Sequence, residues 1–192
     1  MNQVAVVIGG GQTLGAFLCH GLAAEGYRVA VVDIQSDKAA NVAQEINAEY
    51  GEGTAYSFGA DATSEQSVLA LSRGVDEIFG RVDLLVYSAA KFGGVGLTQS
   101  LALDLAEYGI TVHSLMLGNL LKSPMFQSLL PQYATKLGIK PDQVEQYYID
   151  KVPLKRGCDY QDVLNMLLLY ASPKASYCTG QSINVTGGQV ML

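Results

Sequence analysis

Val4-Ala5-Val6-Val7-Ile8-Gly9-Gly10-Gly11-Gln12-Thr13-Leu14-Gly15 decides how the rest of the chain is read. The first five residues are apolar without a break, the pattern of a strand buried on both faces of a parallel sheet. Three glycines follow, and Leu14, Phe17, Leu18 and Leu22 then recur at helical spacing. Strand, glycine turn and helix in that order aim backbone N–H groups and the positive end of a helix dipole at one point, where a pyrophosphate fits. Glycine permits the sharp turn and lets a ligand approach the backbone with no Cβ in the way.

Downstream the same rhythm repeats. Val29 to Val32 reads as a second buried strand with Asp33 at its carboxyl end. An acidic side chain there accepts hydrogen bonds from an adenosine ribose, or simply caps a turn. Ser36 is a plausible N-cap for a helix burying Ala39, Val42, Ala43, Ile46 and Tyr50. A third strand, Thr54 to Phe58, runs into Gly59-Ala60-Asp61-Ala62, where Asp61 and Ala62 suit either an adenine contact or an ordinary turn. Thr63 and Gln66 form a capping box before a helix whose buried stripe is Val68, Leu71, Val75, Ile78 and Phe79. Val82 to Val86 is a fourth strand. Alternating strands and helices predict an α/β fold with helices on both faces of a parallel sheet.

Tyr87-Ser88-Ala89-Ala90-Lys91 then leads into a helix expected over about 91–108, and Ile110 to Leu117 is a fifth strand ending at Gly118-Asn119. From Leu120 to Gly157 the rhythm lapses. Pro124, Pro131, Pro141 and Pro153 interrupt short helical patches such as Gln143 to Ile149, so residues 119–158 read as a lid over a ligand crevice. Val163, Met166, Leu167 and Tyr170 mark a last helix, and Ser182 to Val185 a last strand before Gly187-Gly188. No linker is evident, so residues 1–192 are expected to form one domain.

A formal charge of −6 argues against a nucleic-acid surface, which needs a basic face. No apolar run reaches the length of a membrane span, and the amino terminus lacks the basic flank of a signal peptide. Three widely spaced cysteines, Cys19, Cys158 and Cys178, fit a reducing cytoplasm better than a disulfide framework. His20 and His113 stand too far apart, without clustered partners, to predict a metal site. Lys122, Lys136, Lys140, Lys155 and Arg156 collect in or beside the lid of an acidic chain, which suits either an anionic substrate or a solvated loop.

Together these landmarks resemble the short-chain dehydrogenase/reductase family. Its Thr-Gly-x-x-x-Gly-x-Gly corresponds to Ile8 through Gly15, with Ile8 replacing the threonine and Thr13 the middle glycine; Leu117 stands where a proline usually precedes Gly118. Thr179-Gly180-Gln181 and Val185-Thr186-Gly187-Gly188 are similar to its closing signature. The resemblance implies a Rossmann-like doubly wound sheet and an NAD cofactor held by Gly9, Gln12, Thr13, Leu14, Gly15, Asp33, Asp61, Ala62, Ser88, Gly118 and Leu120. It implies Tyr87 as acid/base, Lys91 as its electrostatic partner, and a homo-oligomer. Gly118 to Met125 and the lid are similar to members that interconvert a phosphorylated sugar alcohol and a ketose phosphate.

One departure is large. The family places a further helix and strand, with its catalytic serine, before a Tyr-x-x-x-Lys helix. Here Tyr87-Ser88-Ala89 is at once the tail of the fourth strand and the start of Tyr-x-x-x-Lys, as if two similar Tyr-x-Ala segments were fused in frame. The absent material is on the order of 60–70 residues by the usual size of such units. Six strands in the order 3-2-1-4-5-6 are then expected, one central strand and one helix fewer than the family. Ser88 and Ser114 are conceivable substitutes for the serine. Two readings follow: an NAD-dependent oxidoreductase, or a nucleotide-binding domain without turnover. Tyr87 and Lys91 share a face only if both lie on one helix; a Tyr87 kept in strand geometry would not meet Lys91 that way.

Overall fold

The computed structural model describes residues 2–87 and 94–191. They fall into two compact units, one within residues 1–89 and the other within 90–192.

In the first unit β1 (Val4–Ile8), β2 (Arg28–Asp33), β3 (Ala55–Gly59) and β4 (Leu84–Tyr87) form a parallel sheet in the order β3-β2-β1-β4. Val4 pairs with Arg28 and Ala5 with Leu84, so the first apolar run has a neighbour on both edges. That is why it has no polar alternation: both faces are covered as well. Val6, Ala30 and Val32 pack with Ala60 and with Val75 of α3 (Glu65–Phe79). α1 (Thr13–Ala24) and α2 (Ser36–Tyr50) pack on each other and against the strands, with Leu18, Cys19, Leu22, Ala39, Val42, Ala43 and Ile46 buried. Each such Leu or Val contributes roughly 1.5–3 kcal/mol when fully buried.

Several details differ from the sequence reading. Tyr50, the last residue of α2, is 38% exposed. The N-cap of α3 is Ser64, whose hydroxyl accepts from the Ser67 N–H, while Thr63 is drawn away to Asp61. Of the expected α3 stripe only Val75 is buried; Val68 and Ile78 remain exposed, as do Leu85 and Tyr87 on β4.

The second unit holds α4 (Gly94–Leu105), β5 (His113–Leu117), α5 (Pro124–Leu137), α6 (Pro141–Asp150), α7 (Tyr160–Tyr170) and β6 (Gln181–Val185). β5 and β6 pair in parallel from His113↔Gln181 to Leu117↔Val185. The expected single six-stranded sheet is therefore corrected to a four-stranded and a two-stranded sheet, with no β4–β5 pairing among the described residues. The strand that the family places between them is the one whose sequence is missing, so each keeps only the neighbour encoded in this chain.

The expected lid is more helical than its prolines suggested. Pro124 and Pro141 open α5 and α6, where the missing N–H is no loss, and only Pro131 lies inside a helix. α5 and α6 share an apolar cluster of Leu121, Phe126, Ala134 and Val144, flanked by Tyr133 and Tyr148. No helix among the described residues is long and apolar enough to cross a membrane.

Candidate cofactor-binding site

The glycine turn closes over the carboxyl end of β2. The Gly9 and Gly10 N–H groups both donate to the Val32 carbonyl at 2.8 Å, folding the chain back on itself as it leaves β1. Gly9 has φ +81°, a left-handed conformation that a side chain disfavours. A Cβ on Gly15 would stand 1.9 Å from the Gly9 carbonyl oxygen, so the first turn of α1 lies directly on the β1–α1 loop. Gln12, at the N-cap, gives no side-chain cap to α1. The helix thus presents backbone N–H groups to whatever binds at the turn.

Thr13 has φ +49°, rare for a β-branched residue, at the position where the family pattern has glycine. The left-handed conformation costs about 1–3 kcal/mol outside glycine, of which glycine's extra unfolded-state freedom would return roughly 0.4–1. Thr13→Gly is expected to stabilise the protein by about 1 kcal/mol on that balance, read as a higher urea midpoint with unchanged slope. An unchanged or lower midpoint would show that the threonine is not strained.

Asp33 is the electrostatic centre of the turn. It is 6% exposed, accepting from the Gly11 N–H at 3.1 Å through one oxygen and from the Gln35 N–H at 3.0 Å through the other. Two of a carboxylate's roughly four lone-pair positions are thus taken, and the others remain for a ligand hydroxyl. Beneath the turn, Cys19 is buried with its thiol directed at the Gly10 carbonyl, 3.8 Å away. Burial pushes that thiol up to about 12, against a smaller lowering by its hydrogen bond.

Asp61 sits past the end of β3 and behaves as a turn residue. Its carboxylate accepts from the Thr63 hydroxyl and N–H, which hold it below the usual carboxylate range. Ala62 beside it is exposed. In the second unit, the Gly118 N–H donates to the Val185 carbonyl, and a Cβ on Gly118 would stand 3.1 Å from the Thr186 α-carbon, a tight approach. Leu120 follows at the carboxyl end of β5. Ser114 lies within β5, its hydroxyl engaged by Ser182 and Met116. Ser88 and Lys91 lie outside the described residues.

Tyr87 is the last residue of β4, paired with Ile8 and 61% exposed. The expected helix over 91–108 is described only from Gly94. Of the two geometries open for Tyr87, it has that of the strand. The reason is local: Leu84-Leu85-Val86-Tyr87 continues a β-favouring run, and pairing with β1 extends to its end.

Sequence reading missed one group. Lys38, half-buried in the first turn of α2, donates from Nζ to the Gln12 side-chain oxygen at 2.6 Å. The available signal was its position, since a lysine opposes the dipole at a helix start.

A family model described as short chain dehydrogenase matches residues 3–86, and one described as enoyl-(acyl carrier protein) reductase matches residues 85–189. The chain belongs to the short-chain dehydrogenase family. A short-chain dehydrogenase relative, sorbitol-6-phosphate 2-dehydrogenase of Escherichia coli K12, is 72% identical over 258 residues, covering 100% of each chain. About 66 aligned positions, the difference between 258 and 192, face no residue here. A missing internal segment fits, and the two family matches meet at residues 85–86, next to the join inferred at Tyr87. The structure of sorbitol-6-phosphate 2-dehydrogenase from Erwinia amylovora is 58% identical with a TM-score of 0.96, covering 98% of this chain and 100% of that one. At lower identity the likeness shows the fold alone. NAD+-bound xylitol dehydrogenase is 21% identical with TM-score 0.86, covering 97% of this chain and 98% of that one. An actinorhodin polyketide ketoreductase with NADPH is 23% identical with TM-score 0.87, covering 98% and 97%.

Proposed function

We propose that this chain is a shortened oxidoreductase of the sorbitol 6-phosphate/fructose 6-phosphate type that binds NAD at the glycine turn and turns over very slowly or not at all. The observation that carries the reading is the strand position of Tyr87. A phenol serves as acid/base when a neighbouring ammonium lowers its pKa from about 10 and a substrate oxygen lies within hydrogen-bond reach. Tyr87 ends a strand rather than opening a helix, and the segment bearing the family's serine has no counterpart. When bound, NAD would supply hydride transfer. Asp33 orients the adenosine ribose and Gly9 to Gly15 accommodate the pyrophosphate, with Asp61 and Ala62 past the end of β3 as candidates for the adenine end.

Asp33 also favours NAD over NADP. Its charge repels a 2′-phosphate, and Ile34 and Gln35, which follow it, offer no guanidinium to offset that. The substrate class comes from the 72% identical relative, named for sorbitol 6-phosphate. Residues 119–158 serve as a lid over bound substrate. Among its cations, Arg156 is bound bidentately by Asp162 and Lys155 donates to the Asp150 carbonyl. Lys122, Lys136 and Lys140, all exposed, are therefore the better phosphate ligands. A cytoplasmic location fits the three widely spaced cysteines, and a homo-oligomer fits the exposed Leu85, Leu97 and Leu103.

Titrating NAD and NADP beside a sorbitol 6-phosphate assay tests this. The expected result is NAD bound about tenfold more tightly than NADP, an affinity gap near 1.4 kcal/mol, with turnover at background. Equal dissociation constants would remove Asp33 from its role. Rapid turnover would remove the claim of impairment.

A further inference from the structure

His113 opens β5, paired in register with Gln181 of β6, and its ring lies against that of Tyr170 in α7 with 4.8 Å between centroids. The residue is half-buried, yet both ring nitrogens are enclosed and neither has a hydrogen-bond partner. A neutral imidazole carries one donor and one acceptor, so the site leaves both unmet. Buried polar groups are ordinarily paired, which makes this ring an exception in need of a role. A proton would raise the cost, placing a positive charge and a second unmet donor among apolar contacts.

No neighbouring charge offsets that cost. β6 and the rest of β5 carry no titratable side chain. α4 carries Asp104, and the turn after it Glu107 and Tyr108, all exposed. α7 carries Tyr160, Asp162 and Tyr170, and Asp162 is engaged by Arg156. Lys174 and Cys178, between α7 and β6, are exposed. None of these acts on His113 through its charge. Burial pushes the imidazole below its ordinary value, and the nearby Cys178 backbone, short of a hydrogen bond, offsets only part of that. His20, the chain's other histidine, is placed the opposite way. It stands between Glu45 and Glu49 of α2, 3.4 and 3.6 Å away, where a proton meets two carboxylates.

We propose that His113 is an acid-sensitive latch on the second unit: a proton taken up there parts β5 from β6 and α7 while the first unit holds. The opening reaches residues 119–158, because the Gly118 N–H bond to the Val185 carbonyl carries the β5–β6 pairing to the start of that segment. With its folded value depressed, the opened chain binds the proton more readily than the closed one. Closure is therefore strongest above the ordinary histidine value of about 6.5 and weakens as pH falls through it. Asp162, held below the usual carboxylate range by Arg156, titrates in more acid solution, outside that window. An opened histidine is about 10% protonated at pH 7.5 and about 90% at pH 5.5, so the opening constant rises by up to about tenfold between them.

Amide hydrogen exchange on the whole chain, corrected for the intrinsic effect of pH, reads this opening directly. From pH 7.5 to 5.5, amides of β5, β6 and α7 are expected to lose protection by several-fold, up to about tenfold, while those of β1 and β2 lose none. His113→Phe and His113→Leu each present an apolar side chain to Tyr170 and should abolish the pH dependence of the second unit. If neither variant folds, proton NMR of the wild-type imidazoles decides. His113 should then keep its neutral shift into more acid solution than an unstructured histidine does. Equal loss of protection in both units, pH-independent protection of β5 and β6, or wild-type pH dependence in both variants overturns the latch. So does ordinary titration of His113 in the spectrum. None of these outcomes bears on the dinucleotide reading.

Discussion

Gly15→Ala is expected to destabilise the first unit by about 3–5 kcal/mol, the range reached when a backbone must move to admit a side chain. The new methyl would lie 1.9 Å from the Gly9 carbonyl oxygen and 2.8 Å from its carbon. Neither is the tip of a flexible side chain. Gly9 cannot withdraw freely, because its N–H and that of Gly10 are both tied to the Val32 carbonyl. α1 cannot withdraw either without uncovering Leu18, Cys19 and Leu22. The check is a urea titration followed by circular dichroism, alongside Gly26→Ala. Gly26 has a positive φ of its own but open space around it, so the second variant isolates backbone strain from the clash. Similar midpoints for the two variants would show that the close approach does not constrain the fold.

Restoring the missing segment should have the larger effect on chemistry. Insertion beside Tyr87 of the roughly 66 residues by which the 258-residue alignment exceeds this 192-residue chain is expected to raise sorbitol 6-phosphate turnover by several hundred-fold or more. A lost hydrogen-bond donor to a developing oxyanion alone corresponds to about 10²–10³ in rate. The insertion also frees the Tyr-x-x-x-Lys tyrosine from strand pairing with Ile8. Two controls make the result specific. Phenylalanine at that tyrosine should abolish the gain in the lengthened chain, whereas Tyr87→Phe in the present chain should leave background turnover unchanged. A lengthened, folded chain that binds NAD yet gains no turnover would show that the segment is not what limits catalysis.

How far the sequence foretold these features varied with how local their physics is. The strand–turn–helix at Val4 to Ala24 was legible because the apolar run, the glycines and the helical spacing all point the same way. Asp33 was legible as a residue with a role, but not its bond to the Gly11 N–H, which depends on how two loops meet across the sheet. Lys38 was missed for the same reason. Its partner lies 26 residues away in sequence. In the Pro124–Pro141 region, prolines were read as interruptions when two of them are helix starts, an ambiguity that a proline's fixed φ allows. The division into two sheets was illegible because strand pairing is a long-range choice, made here by which strand sequences the chain still contains.

The buried thiol under the glycine turn makes the turn's opening measurable in time. Only a thiolate reacts with a disulfide reagent, and Cys19 is both enclosed and raised to about 12, so it reacts only while the turn is open. Cys158 and Cys178 are more accessible and would be spent first, leaving a slow final phase that belongs to Cys19. The rate of that phase is a clock on local unfolding at the glycine turn. A nucleotide that binds only the closed turn slows the clock in proportion to its occupancy, so an affinity can be read from labelling times on a chain that need not turn over at all.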